Sequence, residues 1–163
     1  MTIRDGFCRL SAADTDEIVT LEKSCFSTPW TEEQFNLAFK QKIFSVFGFR
    51  VSDKVVAYIA VYHAAGELEI LNIATHPDHR RRGYACKLLS MMLQVAAQMG
   101  IERALLEVRR NNHPAINLYE HLGFEAVGVR KGYYRDTGED AIVYSRDIVV
   151  YNESLDAQIS EDK

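Results

Sequence analysis

One stretch restricts the chain more than any other. A strand-like run over residues 68–74 leads into Thr75-His-Pro-Asp-His-Arg-Arg-Arg-Gly-Tyr-Ala85, then a helix-like run over 85–99 and a strand-like run over 103–109. Leu88, Leu89, Met92, Leu93, Ala96 and Met99 recur at helical spacing, and Gly100 is a stop signal. Strands separated by a helix of this length lie parallel and are joined by a right-handed crossover. That holds the chain to an α/β architecture.

The turn inside this unit suits an anion. The first N–H groups of a helix lack intrahelical partners, and the helix dipole adds positive charge there. Arg80, Arg81 and Arg82 bring cations beside those donors, and Gly83 has no Cβ to keep a phosphate off the backbone. Taken alone, the turn also reads as a basic surface loop.

Around this centre the remaining elements fall in a regular order. A short strand is expected at Cys8-Arg-Leu10, then a helix over 15–24 opened by a capping box, Asp14-x-x-Glu17. Its stripe is Ile18, Leu21, Glu22 and Cys25. A second capping box, Thr31-x-x-Gln34, starts a helix with Phe35, Ala38 and Phe39 on its apolar face. Runs rich in β-branched and aromatic residues predict strands at 44–51, 55–63 and 67–75, with short antiparallel links. On the third of these, Leu68, Ile70, Asn72 and Ala74 share one face and Glu67, Glu69, Leu71 and Ile73 the other. Pro114 opens a helix ending near Leu122, and strands at 124–130 and 140–148 flank a loop over 131–139. Residues from about 151 onward read as a polar, acidic tail outside the domain, which occupies 1–150. The expected fold is one α/β domain: a mixed, mostly antiparallel sheet with one central parallel pair and helices on both faces.

Composition bears on partners. With 163 residues, 47% of them hydrophobic, the chain can bury a sizeable core. A net charge of −4 argues against direct nucleic-acid binding, which usually needs a basic surface. No apolar run approaches membrane-spanning length, and the first residues lack a signal-peptide core. Three separated cysteines, Cys8, Cys25 and Cys86, suggest a reducing cytoplasm, and the histidines show no metal-ligand spacing.

Four side chains invite a chemical reading beside a structural one. Glu107 is either a solvated charge on a strand or a proton acceptor; Tyr119 is either a core residue beside Ile116 and Leu122 or a proton donor. Trp30, after the break Ser27-Thr-Pro, is a loop anchor or a substrate-side aromatic. Asn72 is a hydrogen-bonded core residue or part of a site.

Arg80-x-x-Gly83-x-Ala85 resembles the Gln/Arg-x-x-Gly-x-Gly/Ala signature of the GNAT superfamily of acetyl-CoA-dependent N-acetyltransferases, with alanine where glycine is commoner. With Ile73-Ala-Thr-His-Pro, Leu106-Glu-Val-Arg109, Asn112, Leu118-Tyr-Glu-His-Leu-Gly-Phe124, Pro29-Trp and Tyr133-Tyr134, it is similar to the RimI-type branch, which acetylates the N-terminal alanine of a small-subunit ribosomal protein. The resemblance spans residues from about 10 to 148. It implies acetyl-CoA as cosubstrate, no metal, a protein N-terminus as acceptor, and a monomer. It makes Glu107 the general base and Tyr119 the general acid. Ile73, Ala74 and Thr75 would meet the pantetheine arm. Arg81, Arg82, Gly83, Tyr84, Ala85 and Cys86 would hold the pyrophosphate, and Asn112 would bind the coenzyme further along. Trp30, Asn72, Tyr133 and Tyr134 would line the acceptor's path. A small amine or a lysine side chain as acceptor, and a non-catalytic acyl-CoA sensor, are the competing readings.

Overall fold

The computed structural model describes residues 5–148, so the expected tail lies outside the described residues. The elements run β1 (Gly6–Leu10), α1 (Thr15–Cys25), α2 (Glu32–Gln41), β2 (Ser45–Val51), β3 (Lys54–Ala64), β4 (Glu67–Thr75), α3 (Tyr84–Gln98), β5 (Arg103–Arg109), α4 (His113–His121), β6 (Glu125–Arg130) and β7 (Ala141–Asp147). They form one seven-stranded sheet in the order β1-β2-β3-β4-β5-β7-β6. Only β4 and β5 pair in parallel, as the crossover through α3 requires.

Each face of the sheet carries its own core. On one, Leu88, Leu89 and Met92 of α3 and Tyr119 of α4 pack on Ile59, Leu68, Ile70 and Leu106. On the other, Ile18 and Leu21 of α1 and Phe35 of α2 pack on Tyr58, Ala60 and Ala74. Burying a side chain of this size is worth about 1.5–3 kcal/mol, which is what draws the amphipathic helices onto the strands. Among the described residues no helix is long and apolar enough to cross a membrane.

Two local expectations fail. Asp14 and Glu17 do not close a capping box. Asp14 accepts from the Ser11 N–H, and both carboxylates are taken by the buried Arg50, at 2.6 Å and 3.2 Å. An ion pair to a remote strand outcompetes the local cap, because Arg50 would otherwise be a buried charge without a partner. The second box, Thr31 with Gln34, forms as the pattern predicts.

The other failure concerns β4. Leu68 and Ile70 face α3, but Asn72 and Ala74 face α1, while Ile73 packs on the α3 side. The cause is a bulge. Val61 of β3 pairs with Ile70 and Ala60 with Asn72, so Leu71 is the extra residue. One inserted residue moves every later side chain to the opposite face.

Candidate active site

The bulge lies where β4 leaves its parallel partner. The two strands pair only from Glu67 with Arg103 to Ile70 with Leu106. Beyond that point β4 stays on β3, while β5 stays on β7 as far as Arg109 opposite Ala141. A cleft of about 480 Å³ opens between them. Residues 70–73 form one wall and 106–109 the other, with α4 and the loop after α1 closing its ends.

Glu107 and Tyr119 reach this cleft from different faces. Leu106 and Val108 point into the α3 core, so Glu107 projects from the opposite side of β5. Its carboxylate pairs with the Arg130 guanidinium, Nε to Oε1 at 2.9 Å. Tyr119 rises from the α3 side, 5% exposed and packed against Phe124 and Tyr144. Burial pushes its phenol far above the usual range, and the neighbouring Tyr134 adds to the shift. It therefore keeps its proton and can donate it. It is a core tyrosine whose ring is buried, and the residue also lines the cleft.

Trp30 and Asn72 are likewise packed or hydrogen-bonded residues that border the cleft. Trp30 packs on Phe35 and Phe44, with centroids 5.6 Å and 5.5 Å away, and also lines the cleft. Asn72 donates to Glu22 at 2.5 Å and to the Tyr58 hydroxyl at 2.9 Å, and lines the cleft as well. Asn112 has a local task besides: its Oδ1 caps α4 by accepting from the Ala115 N–H at 3.3 Å. Tyr134 lines the cleft under Arg109, whose guanidinium lies 4.0 Å above its ring. Tyr133 sits outside the lining, and the negative charge of Glu107 pushes its phenol up.

The arginine turn stands beyond the lining, at the far end of β4. Gly83 caps α3 at φ +82°, a left-handed conformation that favours glycine, and Arg81 adopts φ +62°. Lys87 N–H is the first to bond back, to Gly83 O at 3.0 Å. The N–H groups of Gly83, Tyr84, Ala85 and Cys86 are thus the helix's free donors. No side chain caps them, Arg81 and Arg82 beside them are exposed, and a Cβ at Gly83 would meet open space. This donor set fits a diphosphate. Ile73 and Thr75 turn their backbone groups toward the edge that β5 has left, because His76 N–H bonds to Val56 of β3 and alternation places Ala74 with it. The Thr75 carbonyl there already accepts from Cys25 Sγ and Arg80 Nε, each at 3.2 Å.

Three participants lie outside the sequence-level site. Glu22 is fully buried on α1, where burial raises its carboxyl above the ordinary range. Arg109 and Arg130 hold the loop over residues 131–139 and the Glu107 carboxylate. Glu22 left one trace in the sequence, a charge inside an apolar helical stripe. Arg109 left only its place in the Leu106-Glu-Val-Arg109 motif, and Arg130 left none, since their partners are remote.

The sequence matches the acetyltransferase (GNAT) family over residues 15–124. It is 31% identical over 136 residues to the [ribosomal protein bS18]-alanine N-acetyltransferase of Escherichia coli (strain K12), covering 82% of this chain and 91% of that protein. It is 32% identical over 144 residues to N-alpha-acetyltransferase RimI of Mycobacterium tuberculosis, covering 85% and 89%. The crystal structure of the ribosomal-protein-S18-alanine N-acetyltransferase from Escherichia coli superimposes with a TM-score of 0.84 at 29% identity, over 92% of this chain and 97% of that one.

Proposed function

This chain belongs to the GNAT acetyltransferase family, and from that premise we propose that it moves the acetyl group of acetyl-CoA to the N-terminal α-amine of a protein. The acceptor best supported is the N-terminal alanine of a small-subunit ribosomal protein; the E. coli relative is named for an alanine of ribosomal protein bS18. One observation carries the catalytic part of the reading: a carboxylate and a proton-holding phenol meet from opposite faces of the sheet in a cleft between diverging strands.

Each wall then has a task. An α-ammonium has a pKa near ~8 and is largely protonated at neutral pH, so it must lose a proton before it attacks. Glu107 accepts that proton. Acetyl-CoA supplies an activated acyl carbon and a thiolate leaving group. The Ile73 N–H on the open edge of β4, which rests on Asn72 Oδ1 at 3.1 Å, turns to the carbonyl oxygen as negative charge grows on it. Tyr119 donates its proton to the departing sulfur, and the second proton, shed by the acylated nitrogen as the amide forms, restores the phenol by way of water. At the far end of β4 the free N–H groups from Gly83 to Cys86, with Arg81 and Arg82, hold the pyrophosphate. Trp30 and the Tyr133-Tyr134 loop border the entering peptide, and Asn112 sits on the coenzyme side.

The test is an acceptor panel with acetyl-CoA: peptides beginning with alanine, the same peptides blocked at the N-terminus but carrying lysine, and free polyamines. Turnover is expected with the free alanine N-terminus alone. Preference for lysine or a polyamine would replace this acceptor class, and binding of acetyl-CoA with no turnover on any acceptor would replace the enzyme reading with a sensor.

A further inference from the structure

Glu22 is a buried carboxyl that the proposed chemistry leaves unused. It is 0% exposed, on an α1 stripe otherwise made of Ile18, Leu21 and Cys25. Every group it meets is a hydrogen-bond donor. Oε2 accepts from the Trp30 N–H at 2.8 Å, and Oε1 accepts from the Tyr58 hydroxyl and from Asn72 Nδ2. No lysine or arginine pairs with it among the described residues. Desolvating a carboxyl without a cation is costly, and an apolar side chain of similar volume often fills such a slot at lower cost. Packing alone therefore does not explain an acid at this position.

What an acid does here, and an apolar residue does not, is orient an amide. Glu22 Oε1 accepts from Asn72, so Nδ2 faces it and Oδ1 faces away. Oδ1 then accepts from the Ile73 N–H at 3.1 Å. That N–H lies on the edge of β4 left open by β5. The second oxygen of Glu22 meanwhile fixes the backbone at Trp30, on the loop that closes the same cleft.

We propose that Glu22 is a positioning residue: through Asn72 it sets the Ile73 N–H at the open edge of β4, and through Trp30 it fixes the loop facing that edge. The catalytic half of this inference rests on the acetyltransferase reading; the structural half does not. Glu22→Gln tests both, because an amide at residue 22 must turn its own NH2 toward either Trp30 or the Asn72–Tyr58 pair, where donors already point.

Two measurements are made on the whole chain. Amide hydrogen exchange without ligand should show Ile73 at least about tenfold less protected in Glu22→Gln, with Leu106 unchanged. With an alanine-terminated peptide, kcat should fall at least about tenfold, while KM for acetyl-CoA stays within about threefold. Ile18→Val, on the same helix face, is the control for lost packing and should lower stability without moving either readout. Wild-type exchange at Ile73 in a folded Glu22→Gln, or a fall in kcat that Ile18→Val reproduces at equal melting temperature, overturns the proposal. If Glu22→Gln does not fold, Asn72→Ala decides by the same two readouts, and wild-type values overturn it. A wild-type protein that acetylates nothing would end the functional reading, while the exchange at Ile73 would still judge the positioning.

Discussion

The two strands that bound the cleft are held apart by unlike clamps. Behind β4, Glu22, Tyr58 and Asn72 form a network under α1 whose Glu22 and Asn72 border the cleft. Beyond β5, Arg109 grips Asp136 through two nitrogens at 3.0 Å and 2.9 Å, reaches Glu139 at 3.5 Å and lies over Tyr134, all near solvent. The first clamp works where an unmet donor or acceptor carries its full desolvation penalty. The second works where water and salt share every charge. One wall of the site is therefore rigidly specified, and the other is adjustable. A peptide that must enter and leave would be expected to pass along the second.

The largest expected effects are chemical and fall on the groups the clamps present. Glu107→Gln should lower kcat/KM by about 10²–10⁴-fold with acetyl-CoA affinity retained, since a general base contributes in that range. Steady-state kinetics with calorimetry separates the two quantities. Tyr119→Phe should lower kcat by about 10²-fold, at the lower end of the range for a proton donor. Equal loss of coenzyme binding in either variant would make these residues structural.

Next come the clamps themselves. Tyr58→Phe removes a donor from a buried carboxyl and should cost about 1–3 kcal/mol in urea denaturation. Arg109→Met should cost less at low salt, and the difference from wild type should vanish near ~1 M salt, where the Debye length is ~3 Å. A salt-insensitive Arg109→Met, or a cost-free Tyr58→Phe, would erase the contrast between the walls.

The smallest effect has the clearest sign. Burial raises the Glu22 carboxyl above its ordinary 4.5, so its contribution is full below that pH and is lost as pH rises through the raised value. The stability of wild type relative to Glu22→Gln should therefore fall as pH rises from about 4.5. Asp136 moves the other way. Arg109 holds it below its ordinary 3.8, so its contribution is present above 3.8 and is lost as pH falls through the lowered value. At low salt the gap between wild type and Arg109→Met should close on the acid side of 3.8 and not on the alkaline side. Denaturation series across pH read both slopes, and slopes of the same sign would refute the assignment.

Legibility from sequence followed range. Strand β4 was bounded to the residue and β5 likewise, because alternation and β-branched runs are local signals. Thr31 and Gln34 capped as read, since both partners lie within one turn. Asp14 and Glu17 carry the same kind of pattern and do otherwise, because Arg50 arrives from a distant strand. Alternation alone puts Asn72 on the wrong face, because nothing local announces an extra residue at Leu71. Glu22 was read as a helical position rather than as a partner of Asn72, fifty residues on.

By itself the order of residues determined the element sequence, the parallel crossover and a helix start rich in free donors. Each follows from periodicity, capping and chain length, which act over a few residues. Only the tertiary structure decided that β4 slips register and leaves β5 at Ile70, that the opening lies between Glu107 and Tyr119, and that a buried acid stands behind it. Those outcomes depend on which remote groups compete for each hydrogen bond once water has been excluded, and that competition exists only in the folded chain.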